Sequence, residues 1–328
     1  MASGSPRAGR GGAAPLKVMD FVGSVARLEW AKDNGCPWQP QNGCALAARG
    51  GRLEVLVWAR EHSCDWDDMT CARAAGGGHL EMLIWARQHG CPWVGVDDFD
   101  SGYIKNCCAR AAAGGHLEVL KWLREQDCPW DTWTCAEAAA GGHLELLKWA
   151  RAHHCDWHEE TCASAARGGH LETLKWAREH GCPWNGDDED FEYTTNCCAL
   201  AAERGHLEVL KWLREQDCSW DEETCAAAAE GGHLEVLKWA REHGCDWDEI
   251  DCCAHAAGGG QMEVLKWLRE QGCAWDPSTC AWAAEGGHLE VLKWLREHHC
   301  PWDHLTRQCA EEYEHLELLQ WAVGHGAP

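Results

Sequence analysis

The sequence predicts an all-α fold, a helix-turn-helix repeat solenoid with two longer loop fingers, and three observations predict it. The nonapeptide GGHLEVLKW stands unchanged at Gly114–Trp122, Gly231–Trp239 and Gly286–Trp294, with near-copies beginning at Gly51, Gly77, Gly141, Gly168, Gly205 and Gly259. A second pattern, Cys-Ala-x-Ala-Ala, begins at Cys44, Cys71, Cys108, Cys135, Cys162, Cys198, Cys225, Cys253 and Cys280, most steps being 27 residues. The third observation is the width of one apolar face. In the copy at Leu117, the residues Leu117, Val119, Leu120, Trp122 and Leu123 cover roughly 220° of a helix, leaving Glu118, Lys121 and Glu125 for water. A helix so apolar must be covered by its own partner and by both adjacent repeats.

Each element of the unit has a local cause. Thr134 is a good N-cap, and Thr134-Cys-Ala-Glu137 fits a capping box. Cys135–Ala140 then reads as a short helix of small side chains, which a neighbour can approach closely. Gly141-Gly142 stops it and turns the chain. His143–His153 reads as a second, longer helix. Where the unit ends in glycine, as at Gly90, Gly181 or Gly244, that residue supplies a left-handed C-cap, and where Cys-Pro-Trp follows, as after Gly90 and Gly181, its proline prevents continuation.

Two steps are long, 37 residues from Cys71 to Cys108 and 36 from Cys162 to Cys198. They are ordinary repeats with a loop added after Trp93 and Trp184. These insertions lie 91 residues apart, about three repeats, as duplication of a three-repeat block would leave them. Residues 1–16 read as a disordered tail, a short acid-free transit sequence being the alternative. Residues 17–43 hold a degenerate unit read as an N-terminal cap. Residues 44–308 hold about nine repeats, and 309–328 a C-terminal cap that has lost both glycines.

The pattern Thr-Cys-Ala-x-Ala-Ala-x-Gly-Gly-His-Leu-Glu-Val-Leu-Lys-Trp-Leu-Arg-Glu-His-Gly-Cys resembles the ankyrin repeat, with Trp at the family's first paired Leu and Cys at its final Ala. The likeness runs over residues 17–328. Two features depart from it: the unit is shorter than the family's 33 or so residues, and the Thr-Pro-Leu-His turn is reduced to Thr-Cys-Ala. Only the two long units have room for a full loop finger. The resemblance implies a curved solenoid that binds other proteins on its concave face, without catalysis.

Composition narrows the function further. A net charge of −24 argues against nucleic acid, whose phosphates need clustered Lys and Arg. No run of eighteen apolar residues spans a membrane. The 23 cysteines follow the repeat, and with no secretory signal they read as the reduced thiols of a cytoplasmic or nuclear protein. A monomer is expected.

Three residue types could carry chemistry. A second cysteine series (Cys36, Cys64, Cys91, Cys128, Cys155 and onward) precedes the first by seven residues, as in Cys128–Cys135, a poor match to zinc spacing. Cysteine as a small buried hydrophobe is the simpler reading, and a zinc or redox protein the alternative. The recurring His79, His116, His143, His170, His206, His233 and His288 match the Gly-His of the ankyrin turn. Arg52 and Gln261 replace them in two units, against a metal role. Of 23 tryptophans, the helical series (Trp122, Trp149) reads as core. The Cys-Pro-Trp series either packs on the next repeat or forms an exposed ladder. No cofactor, metal site or catalytic constellation stands out.

Positions that repeat serve the stack, so recognition belongs to those that vary. The x of Cys-Ala-x is Arg73, Arg110, Glu137, His255 and Trp282 in successive or later units, and the loop before it carries Trp133. The fingers are acidic with aromatics interleaved: Asp97, Asp98, Phe99, Asp100 and Tyr103, then Asp187, Asp188, Asp190, Phe191 and Tyr193. A basic protein partner would suit them.

Overall fold

The computed structural model describes residues 23–34, 43–66, 69–93, 107–183 and 196–327. Within them the chain is all-helical, and it divides into two compact units at Pro129 and Trp130. The first unit contains α1 (Val25–Asp33), α2 (Gly43–Arg49), α3 (Leu53–Glu61), α4 (Thr70–Gly76), α5 (Leu80–Gln88), α6 (Cys107–Ala113) and α7 (Leu117–Glu125). The second begins with α8 (Thr132–Ala140), α9 (Leu144–Ala152), α10 (Glu159–Arg167), α11 (Leu171–Glu179), α12 (Cys197–Glu203), α13 (Leu207–Glu215) and α14 (Glu222–Glu230). It continues through α15 (Leu234–Glu242), α16 (Glu249–Gly258), α17 (Met262–Glu270), α18 (Pro277–Glu285), α19 (Leu289–Glu297), α20 (His304–Glu312) and α21 (Leu316–Gly324).

From α2 onward the helices come in antiparallel-type pairs, and within each unit the first helix of one pair lies against the first helix of the next. That is the predicted helix-turn-helix solenoid. Small residues make it possible: Ala138, Ala139, Ala165 and Ala166 are completely buried where first helices touch. From the second helix, Leu147, Leu174, Leu210 and Leu237 fill the space behind them with no exposed surface. Truncating any one would cost about 2–5 kcal/mol.

The start of the first helix differs from the sequence reading. Thr134 is not a cap. In most pairs of the second unit the helix opens three residues earlier, after Asp131, His158, Asp221, Asp276 or Asp303. Asp276 Oδ1 accepts from Ser278 N at 2.8 Å, and Asp303 Oδ1 from Leu305 N at 2.9 Å. An aspartate with a free oxygen caps better than a threonine whose side chain the stack needs. Thr134, Thr161, Thr224, Thr279 and Thr306 are instead buried inside the first turn, their hydroxyls unpartnered. The first helix therefore has nine residues in these pairs, as many as the second. Only α2, α4, α6 and α12 keep seven.

Both helices of a pair end the same way. After α8, Gly142 takes φ +69°, its N–H donates to Ala139 O at 3.1 Å, and His143 N–H reaches Ala138 O at 2.8 Å. After α9, His154 takes φ +66°, and Cys155 N–H reaches Ala150 O at 3.0 Å. Paired bonds of this kind satisfy the last carbonyls and fix the exit direction of the chain.

Candidate interaction surface

On the first helices, the repeated Cys and Ala face inward, so the residue between them is left at the edge of the stack. Arg73, Arg110, Glu137 and His255 are all half-buried there, and Trp282 is 37% exposed. In the second unit these side chains meet across consecutive repeats. Glu230 Oε2, at the end of α14, lies 2.9 Å from His255 Nδ1 on α16. The His255 ring in turn lies 4.6 Å from the Trp282 ring on α18. Trp133, near the start of α8, turns its ring edge-on to His158 at 5.6 Å and is half-buried. In the first unit, Arg73 and Arg110 border a cavity of about 610 Å³, with Arg49 on a third side. The acidic fingers, with Asp97, Asp98, Phe99, Asp100, Tyr103, Asp187, Asp188, Asp190, Phe191 and Tyr193, lie outside the described residues.

The histidines act as the sequence suggested. His116 Nε2 lies 3.1 Å from Gly76 O, and His206 Nε2 lies 3.0 Å from Arg167 O, each reaching the preceding repeat. Gln261, which replaces histidine, donates its side-chain amide to Glu230 O at 3.0 Å. An amide nitrogen can only donate, so the position calls for a donor to a backbone carbonyl.

The tryptophans need a correction. Trp122 and Trp149 are half-buried and not core. The loop tryptophan of one repeat packs edge-on against the helical tryptophan of the next: Trp157–Trp176 at 5.8 Å, Trp220–Trp239 at 5.8 Å, Trp275–Trp294 at 5.9 Å. Its other face carries an arginine of its own repeat, as Arg241 over Trp247 at 3.9 Å. A histidine stacks on the helical ring, Trp176–His180 at 4.3 Å. Apolar phase alone suggested burial, but Arg, Trp and His cover one another laterally at the repeat seam.

The cysteines pair differently from their spacing. Cys44 Sγ lies 3.2 Å from Cys64 Sγ, and Cys71 from Cys91 at the same distance, twenty residues apart within a repeat. The seven-residue bracket is only the loop between repeats. Cys155, Cys182 and Cys245 also donate to the carbonyl of the residue capping their own first helix, at 3.4, 3.4 and 3.2 Å. Burial, then Cys273, push the Cys253 thiol up to about 12. The hydrogen bond with Cys128 and burial likewise raise Cys107, while Cys128, accepting from Cys107 and Cys108 near Arg124, goes down. Among the described residues, no three His, Cys, Asp or Glu side chains gather as metal ligands would. Nor is any described helix long and apolar enough to cross a membrane.

Residues 225–269, from within α14 almost to the end of α17, match the family model described as ankyrin repeats in many copies. Among solved structures, the crystal structure of the human ASB11 ankyrin repeat domain is 20% identical. It covers 51% of this chain and 84% of its own, with a TM-score of 0.40. No curated protein matches the chain.

Proposed function

We propose that this array of ankyrin repeats is a non-catalytic scaffold that binds a protein partner through the outward residues of its first helices and its acidic fingers. Ankyrin repeats generally mediate protein–protein interaction, which gives the class. The observation that carries the reading is the contact chain Glu230–His255–Trp282, in which variable residues of three consecutive repeats touch to make one continuous strip. Residues free of the stack and adjacent in space are what an interface needs, and an aromatic among them is the usual anchor.

The second unit presents carboxylates along this strip (Glu137, Glu203, Glu230, Glu285), so a basic segment of the partner suits it. The protein is read as a monomer of the cytoplasm or nucleus, where its thiols stay reduced, with 17–43 and 309–328 proposed as its N- and C-terminal capping repeats.

Affinity capture tests this. A variant with Trp133, Glu137, His255 and Trp282 all changed to Ala is compared with the wild type, both with the same helical circular dichroism. A protein retained by the wild type and lost by the variant is the expected result; equal retention would remove this face from consideration.

A further inference from the structure

The first unit presents the opposite charge. Arg49 closes α2, Arg73 stands in the middle of α4 and Arg110 in the middle of α6, three first helices in succession. Their side chains surround the cavity of about 610 Å³, a volume in the range of pockets that accept small ligands or peptide side chains. The cavity has a sequence cause. Five residues beyond the repeat cysteine, two successive repeats of this unit have Gly76 and Ala113, whereas in the second unit Ala140 is followed by Arg167, Glu203 and Glu230, and Gly258 by Glu285, so that no two successive repeats there are both small. The small residues leave the floor open. A Cβ at Gly76 would come within 3.4 Å of Arg110 Cβ, so a larger residue there would crowd the arginine.

The charges are the informative part. The chain has 53 Asp and Glu, yet among the described residues no carboxylate lines this cavity and none of its three arginines forms an ion pair. Arg60 and Arg87 of the same unit are used otherwise, stacked on Trp66 and Trp93 at 4.3 and 4.0 Å. Three guanidiniums around one cavity repel each other, and planar bidentate acceptors would relieve that. A long polyanion would meet the repulsion of the −24 net charge along its length, whereas a short acidic segment places its charge only where the arginines are.

We propose that this cavity is the docking site for an acidic peptide segment of the protein partner, with Asp or Glu carboxylates paired to Arg73 and Arg110 and with Arg49 at the rim. The proposal rests on the scaffold reading and gives one of its contacts a chemistry.

The test is fluorescence anisotropy with a labelled, amidated Asp-Glu-Asp-Glu-Asp peptide and its Asn/Gln counterpart. They are titrated with wild type, with the Arg73→Glu, Arg110→Glu double variant, and with Arg204→Glu on the second unit as control. Circular dichroism reports that each is folded. The expected result is saturable binding of the acidic peptide alone, weakened by salt, unchanged in Arg204→Glu and weaker by about tenfold or more in the double variant. Equal binding of the neutral peptide, or equal affinity in the double variant, would overturn the proposal. So would binding of pyrophosphate without the peptide, which would mean a small phosphoanion site. Sedimentation showing self-association lost in the double variant would overturn it too, in favour of a second copy. Capture by the second-unit strip is measured separately, so failure here with capture intact removes the acidic ligand and leaves the scaffold.

Discussion

The Nε2 of His170 lies 3.0 Å from the carbonyl oxygen of Ala140, thirty residues earlier in the last turn of the preceding repeat's first helix. That carbonyl has no partner within its own helix, and the bond joins two repeats at the point where both turn. The first glycine of each pair makes room for it: a Cβ at Gly168 would sit 2.5 Å from the same oxygen. His170→Ala should cost about 0.5–1.5 kcal/mol by urea denaturation, the net contribution of one hydrogen bond at an exposed turn. His170→Gln should recover most of this, since Gln261 already makes the equivalent bond. Burial lowers the His170 pKa, with the bond to Ala140 acting against it. The unfolded chain therefore binds the proton more readily, and the neutral ring's contribution is present above about pH 6.5 and lost as pH falls below it. The stability decrease on acidification should be shallower in His170→Gln; an identical slope would remove His170 from the pH response.

The left-handed position that ends each second helix is glycine in some repeats and not in others. Gly90, Gly181, Gly244 and Gly272 hold φ near +80°, while Ser63, Asp127, His154, Asp217 and His299 hold φ between +54° and +66°. A side chain there opposes the backbone by about 1–2 kcal/mol, partly offset by the entropy glycine loses on folding. His154→Gly should raise the stability of the array by roughly 0.5–1 kcal/mol, and Gly181→Ala should lower it by a similar amount. Thermal unfolding of the two variants beside wild type measures both.

Periodicity made the stack legible, because a motif copied every 27 residues reports the side chains that pairing demands. It located the helix pairs, the Gly-Gly turn and the histidine, whose chemistry Gln261 discloses. It misplaced the cap: the helix opens after Asp131, and the stack buries Thr134 inside the first turn. It misread Trp122 and Trp149 as core, since phase along one helix says nothing of an Arg and a Trp arriving from a neighbouring repeat. Among the site residues, variation picked out Arg73, Arg110, His255 and Trp282. Their grouping was hidden, because Arg49 and Gly76 occupy a different repeat position and matter only through the cavity they share.

Buried thiols give the fold an alkaline limit. Burial first, then the neighbouring Cys273, push Cys253 from about 9 to about 12. A raised folded pKa means the neutral thiol stabilises the native state fully below pH 9 and loses that contribution as pH rises toward 12. The array should lose stability above pH 9, and Cys253→Ala should flatten part of that slope. At pH 8, alkylation of Cys253 by iodoacetamide should be slow in the native protein and fast in urea, because the reactive species is the thiolate. Fast native labelling at Cys253, located by mass spectrometry, would contradict this assignment.

Two tryptophans of this chain should respond oppositely to the same substitution. Trp157 joins two repeats, its face covered by Arg151 at 4.1 Å and its edge set against Trp176 at 5.8 Å. Trp157→Ala removes both contacts together with the area they bury, and should destabilise the array by about 2–4 kcal/mol. Trp282 leans on His255 but leaves 37% of its surface in water. Its removal should cost less, about 1–2 kcal/mol, since more than a third of the side chain stays in water. Partner binding should invert the order: Trp282→Ala loses the captured protein while folding normally, and Trp157→Ala retains it at temperatures where it remains folded. Denaturation curves and capture run on the same two preparations measure both halves. A large stability loss at Trp282 would make it part of the stack and not of the interface.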